Sequence, residues 1–236
     1  MNKNKILLPG LDKQFGFLQE NLTAKIESAL VIGSSSEQPA VSISEEYSCN
    51  VDLIVEDYES LINSKLILEK YPNINTRMME FDVTDFDDTA FDLIYAQGSV
   101  SRTSRNKYIK EIKRILKPDG FLCIGEIVAL ENNYPAFVKD IFDSSDLLPL
   151  FTNDLSKYYS ERKFEIIAQE DLTNTLEEYY ITNVSLLKEA KHHLSEQEKS
   201  YHKKLLNKIS HESNVYLKLG GDRYYGFVSL LMKKAG

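Results

Sequence analysis

The chain has 236 residues, and 28 Lys and Arg against 36 Asp and Glu leave it a formal net charge of −8. Hydrophobic residues make up 42% and charged residues 27%, the usage of a soluble globular protein, which excludes disorder and fibrous architecture. An acidic balance without a long basic run argues against electrostatic binding of nucleic acid, because neutralising phosphates needs clustered Lys and Arg.

The length suits a single α/β domain over residues 1–236, with one insertion. Two cysteines, Cys49 and Cys123, are too few for a disulfide framework and fit a reducing cytoplasm. Near the N-terminus, Pro9 and Gly10 cut short the apolar run 6–8, so no signal peptide is expected. No stretch approaches the roughly 18 apolar residues of a membrane span.

The first strand is expected at Ala29-Leu30-Val31-Ile32, stopped by Gly33 and three serines. Further strands are expected at 51–55, less clearly at 77–83, and at 91–96 and 121–127. Helical patterns separate them: 58–70, closed by Tyr71-Pro72, and 106–116, closed by Lys117-Pro118-Asp119-Gly120. Strands alternating with helices of this length predict a doubly wound, mostly parallel α/β sheet with right-handed crossovers. Residues 131–162 read as mostly helical, 164–168 and 226–232 as two more strands, and 173–218 as a polar helical stretch too long for a loop. It predicts a cap inserted at about 173–222, before the last strand, and residues from about 131 to 160 are expected to join it over the ligand.

Such a sheet binds its ligand beyond the carboxyl ends of its strands. At the first end, Gly33 is free to take positive φ and Ser34 and Ser35 offer hydroxyls, although a single glycine also reads as a plain turn. At the second, Glu56 follows Gly33 by 23 residues and suits two ribose hydroxyls. With Asp57 it equally suits the N-terminus of the next helix. Asp82 is a candidate for an adenine amino group with Val83 packed on its face, and Gln97 and Ser99 follow the fourth strand. His192, His193, His202 and His211 all fall in the insert, but spacings of 1, 9 and 9 put them on no common helical stripe, so a solvated face is expected and no metal site.

Phe91-Asp92-Leu93-Ile94, Ile112-Lys113-Arg114-Ile115-Leu116-Lys117-Pro118-Asp119-Gly120-Phe121-Leu122 and the Glu56-x-Tyr58-x-x-Leu61 register together resemble the class I S-adenosylmethionine-dependent methyltransferases over about 28–130. Gln169-Glu170-Asp171-Leu172-Thr173, the helical insert and Gly220-Gly221-Asp222-Arg223-Tyr224-Tyr225-Gly226-Phe227 resemble their small-molecule branch, the phosphoethanolamine and sarcosine or dimethylglycine enzymes. The resemblance implies a Rossmann-like seven-stranded sheet, S-adenosyl-L-methionine as cofactor, ribose binding at the Glu56 position and adenine binding at Asp82. Val31-Ile32-Gly33-Ser34-Ser35-Ser36-Glu37 departs from the family's Asp-x-Gly-x-Gly-x-Gly loop.

On this reading Gly33, Ser34, Ser35, Glu56, Asp57, Asp82, Val83 and Gln97 hold cofactor. Tyr95 and Ser99 face the substrate from below, and Arg223 and Tyr225 are candidate walls for a small metabolite. Two other readings remain open. The serine-rich loop suits a binding protein without turnover, and Tyr159-Ser160-Glu161-Arg162-Lys163 fits the Tyr-x-x-x-Lys of short-chain dehydrogenases, for which Glu56 would bind NAD.

Overall fold

Residues 6–190 and 196–235 are described in a computed structural model of the chain. Strands β1 (Ser28–Ile32), β2 (Asn50–Val55), β3 (Ile74–Met78), β4 (Phe91–Gln97) and β5 (Leu116–Ala129) run parallel, and β8 (Tyr225–Lys234) lies antiparallel between β5 and β7 (Phe164–Asp171). The order is β3-β2-β1-β4-β5-β8-β7, with the two-residue β6 (Leu150–Phe151) beside the end of β5. Central strands buried on both faces have to be apolar throughout, which is why their runs are continuous rather than alternating.

Helices α1 (Lys13–Asn21), α2 (Glu37–Tyr47) and α3 (Tyr58–Leu68) cover one face, where Leu18, Val41 and Leu68 join Val31, Leu53 and Tyr95 in one core cluster. On the other face, Ile109 and Ile112 of α4 (Arg105–Ile115) and Leu155 and Tyr159 of α6 (Thr152–Ser160) pack with Leu30, Ile94 and Leu230. A third cluster stands over the carboxyl end of β5. There Phe142 of α5 (Ala136–Ser144), Tyr180 of α7 (Leu176–Ala190) and Tyr216 of α8 (Glu196–Lys218) meet Ile127, Tyr225 and Phe227.

Three expectations are corrected. The third strand ends at Met78, not Val83, because Asn75 and Arg77 belong to an edge strand and 79–83 leave the sheet. The helix α6 belongs to the sheet face and not to the upper cluster, since Leu155 and Tyr159 are buried against β5 and β8. Lys117-Pro118-Asp119-Gly120 bulges out within β5, where the register steps from Phe91↔Leu116 to Leu93↔Phe121 and Asp119 takes φ 61°. Asp92, beside that bulge, accepts from Ser28 N at 3.0 Å and Lys117 Nζ at 2.8 Å, tying the starts of β1, β4 and β5 together. Its carboxyl is held below the ordinary value by Lys117 and these N–H donors despite the opposing effect of burial.

The upper cluster also buries a carboxyl. Glu212 of α8 accepts from Ser145 Oγ at 2.6 Å among tyrosines, and loss of solvent raises its pKa, an effect that Lys208, Ser145 and His211 only partly offset. An acid whose folded pKa is raised binds its proton more tightly when folded, so its contribution favours folding at low pH and is lost as pH rises from the ordinary carboxyl range through the folded value. Glu212→Gln is therefore expected to raise the melting temperature at pH 7.5 by roughly 2–4 °C, what about 1 kcal/mol produces in a domain of this size. The gain should vanish in thermal scans at pH 4; a gain that persists there would detach it from ionisation.

Candidate functional site

The carboxyl ends of β1, β2 and β4 meet at one crevice, and its residues come from the loops that follow them. After β1, Gly33 has φ 130°, and a Cβ there would stand 3.0 Å from Ser99 Cβ and 3.4 Å from Ser36 Oγ. Only glycine closes this approach. Ser36 precedes α2, yet its hydroxyl makes no capping bond and is buried without a partner among the described residues. An orphan hydroxyl beside a glycine cradle and an uncapped helix start suits a polar ligand group.

After β2, Glu56 is already engaged. Arg102 Nη1 donates to Oε2 at 2.5 Å, and the Tyr108 hydroxyl donates to Oε1 at 3.2 Å. Burial, and next the Glu56 carboxylate, push the Tyr108 phenol above its ordinary value. In the order β2-β1-β4, a side chain reaching from the loop after β4 to the end of β2 passes over the end of β1. The Arg102–Glu56 ion pair thus bridges the crevice.

The other expected residues divide. Asp57 caps α3, accepting from Ser60 N at 2.8 Å and Ser60 Oγ at 2.7 Å, and Ser34 Oγ reaches it at 3.5 Å. Ser35 adopts φ 63° in the same loop. Asp82 lies 3.7 Å from Lys107 Nζ, and Val83 beside it is 74% exposed, open to a flat ring. Gln97 is spent on structure: its amide donates to Pro9 O at 2.8 Å and Leu11 O at 2.7 Å, and its oxygen accepts from Tyr95. Tyr95 is corrected to a core residue, fully buried in the sheet face that faces α1 and α2. Ser99 donates to Ile32 O at 2.7 Å, bracing the Gly33 turn. Arg223 is exposed, whereas Tyr225 is buried 5.1 Å from the Tyr216 ring and 5.6 Å from Phe142. Of the histidines, His211 is exposed, while His192, His193 and the side chain of His202 lie outside the described residues. Among the described residues no His, Cys, Asp or Glu cluster suits a metal, and no helix is long and apolar enough to cross a membrane.

Two features escaped the sequence reading. Residues 7–14 run across the crevice edge: Leu7 N donates to Asn183 Oδ1 at 2.8 Å, Gly10 N to Thr175 Oγ1 at 3.1 Å, and Gln14 Nε2 to Ala96 O at 3.1 Å, linking α7 to the end of β4. Glu126 of β5 is fully buried and accepts from Ser101 Oγ at 2.5 Å, Arg105 Nη2 at 3.0 Å and the Tyr159 hydroxyl. The signal for it was a lone carboxylate within the apolar run 121–128. Because the Tyr159 phenol is sealed into this network, it is unavailable to a dehydrogenase reaction, and the antiparallel β8 departs from the dinucleotide-binding strand order.

Residues 30–124 match the methyltransferase-domain family. No curated protein matches the sequence. Among solved structures, the [4+2]-cyclase SpnF superposes with a TM-score of 0.75 at 16% identity, covering 95% of this chain and 80% of its own. A putative sarcosine dimethylglycine methyltransferase from Galdieria sulphuraria gives 0.72 at 14%, covering 95% and 84%. Phosphoethanolamine N-methyltransferase 2 of Haemonchus contortus, in complex with S-adenosyl-L-methionine, gives 0.77 at 14%, covering 99% of this chain and 54% of that one. Residues 30–124 thus match a methyltransferase domain, and the chain shares its fold with these solved structures, methyltransferases among them.

Proposed function

We propose that the protein transfers a methyl group from S-adenosylmethionine, the cofactor of this domain family, to a nitrogen, oxygen or sulfur of a small molecule. The observation that carries this is the convergence of the Gly33 cradle, the Glu56 carboxylate, and the half-buried Asp82 with the exposed Val83 beside it, at the carboxyl ends of β1–β3. These residues fit the cofactor once Arg102 has turned away from Glu56: Glu56 for the ribose, Asp82 and Val83 for the adenine, and Gly33 with Ser36 for the amino-acid end. The bound sulfonium supplies an activated methyl, which leaves placement and exclusion of water to the protein.

The helices of the upper cluster stand over the neighbouring ends of β5 and β8, where a cap would enclose a substrate, with Tyr225 and Arg223 at its base. A closed chamber and a net charge of −8 suit a small metabolite better than a polyanion. The free, buried cysteines fit a cytoplasmic location.

The bridge over Glu56 favours a second reading, a protein that keeps the fold without turnover. A screen with tritiated cofactor over amines, phenols, thiols and tRNA tests both. Labelling of a small molecule is the expected result, and it should be lost, with cofactor binding kept, when 180–215 are replaced by a short linker. Labelling of tRNA alone would sink the small-molecule assignment. No labelling, with cofactor binding intact, would establish the second reading.

A further inference from the structure

A cavity of about 430 Å³ lies alongside α4 and reaches the amino-terminal end of β5, where Lys234 meets Leu116, away from the crevice. Its walls come from three separate elements. From α4, Asn106, Ile109, Lys110 and Lys113 stand at i, i+3, i+4 and i+7, so they form a single helical stripe. Arg162 enters from the turn between α6 and β7, and Lys234 from the last residue of β8.

The cations here are held in place but not neutralised. The Arg162 guanidinium lies 3.5 Å over the Tyr158 ring and donates to Asn106 Oδ1 and Tyr158 O, both at 2.9 Å, so its planar fork is fixed before any ligand arrives. Lys234 Nζ is anchored on Leu116 O at 2.6 Å. Burial, and next the charge of Lys113, push its ammonium below the ordinary lysine value. Lys110 and Lys113 have no ion-pair partner among the described residues. The remaining lining cation, Arg114, already belongs to Glu111 and Asp88. Four cations around one hollow, none of them in an ion pair among the described residues and only Lys234 drawn toward a carboxylate, Asp88, repel one another unless an anion joins them.

We propose that this groove is a second ligand site, for a small molecule carrying adjacent phosphate groups. A concave hollow walled by three elements, with the buried Ile109 as floor, suits a compact ligand better than a flat protein surface. Lys110 and Lys113, one helical turn apart, would meet neighbouring phosphates, and the Arg162 fork would take two oxygens of one phosphate. The site is independent of the methyl-transfer reading, since none of its residues touches the crevice.

Calorimetric titration of the full chain with inorganic triphosphate at 50 mM and 200 mM NaCl tests the site, with Lys110→Glu/Lys113→Glu and Lys113→Arg as variants. Both positions lie on an accessible helix face, and unchanged melting temperatures establish that the variants fold. Wild type is expected to bind and to weaken steeply with salt. The double variant should lose at least tenfold in affinity, while Lys113→Arg stays within a fewfold of wild type. Absence of binding at millimolar triphosphate, or equal binding by the double variant, overturns the proposal. So does tighter binding of a glutamate decapeptide than of triphosphate, which would assign the groove to an acidic protein segment.

Discussion

Replacing Glu126 with Leu is expected to cost about 3–5 kcal/mol of folding stability, as is usual when one partner of a buried ion pair is removed. The reason is what remains. Arg105, with only 4% of its side chain exposed, would keep its charge inside the protein with one carbonyl, Leu148 O at 2.7 Å, as acceptor. Ser101 Oγ and the Tyr159 hydroxyl would lose their acceptor as well. At about 2–4 °C per kcal/mol for a domain of this size, the loss should be plain in thermal scans and in the urea midpoint. Glu126→Leu/Arg105→Met removes both charges and should recover most of the loss. A double variant as unstable as the sum of the singles would show that the cost is packing and not charge.

The second large effect is a pair of opposite changes at the crevice. Glu56→Ala should weaken S-adenosylmethionine binding by about 1–3 kcal/mol, the cost of leaving ribose hydroxyls without their acceptor. Arg102→Ala should strengthen it by up to roughly fivefold, since the ribose no longer displaces a cation from Glu56 and a partly exposed ion pair is worth about 1 kcal/mol. Calorimetry on the two variants decides. Affinity unchanged in Glu56→Ala removes that residue from the site. Affinity lowered in Arg102→Ala makes Arg102 a ligand of the cofactor rather than its competitor.

What could be read in the sequence follows from what is local. The strands β1, β2, β4 and β5 are legible because burial on both faces demands unbroken apolar runs, and α3 and α4 because Pro72 and Pro118 mark their ends. The edge strand β3 was misplaced because Asn75 and Arg77 interrupt its pattern. Glu56 was found through its distance from Gly33, but its capture by Arg102 was not, because nothing local joins residues 46 apart. Gln97 and Tyr95 were assigned to ligands on their position after and within β4. The structure gives them to residues 9–11 and to the core, since a polar side chain at a strand end serves whichever backbone happens to lie there.

The position of β8 bears on how the protein is made. Its residues 225–232 are all buried, and they contribute to each of the three core clusters: Leu231 to one, Leu230 and Met232 to the second, Tyr225 and Phe227 to the third. The strand that wedges between β5 and β7 follows both of them in the chain. During synthesis, until β8 has emerged, β5 offers an open edge and β7 has no partner, so the sheet closes only once residues 225–234 are available. Nascent chains stalled before residue 225 should accordingly be protease-sensitive and bound by chaperones, and a stop codon there would yield an aggregating product instead of a smaller working enzyme.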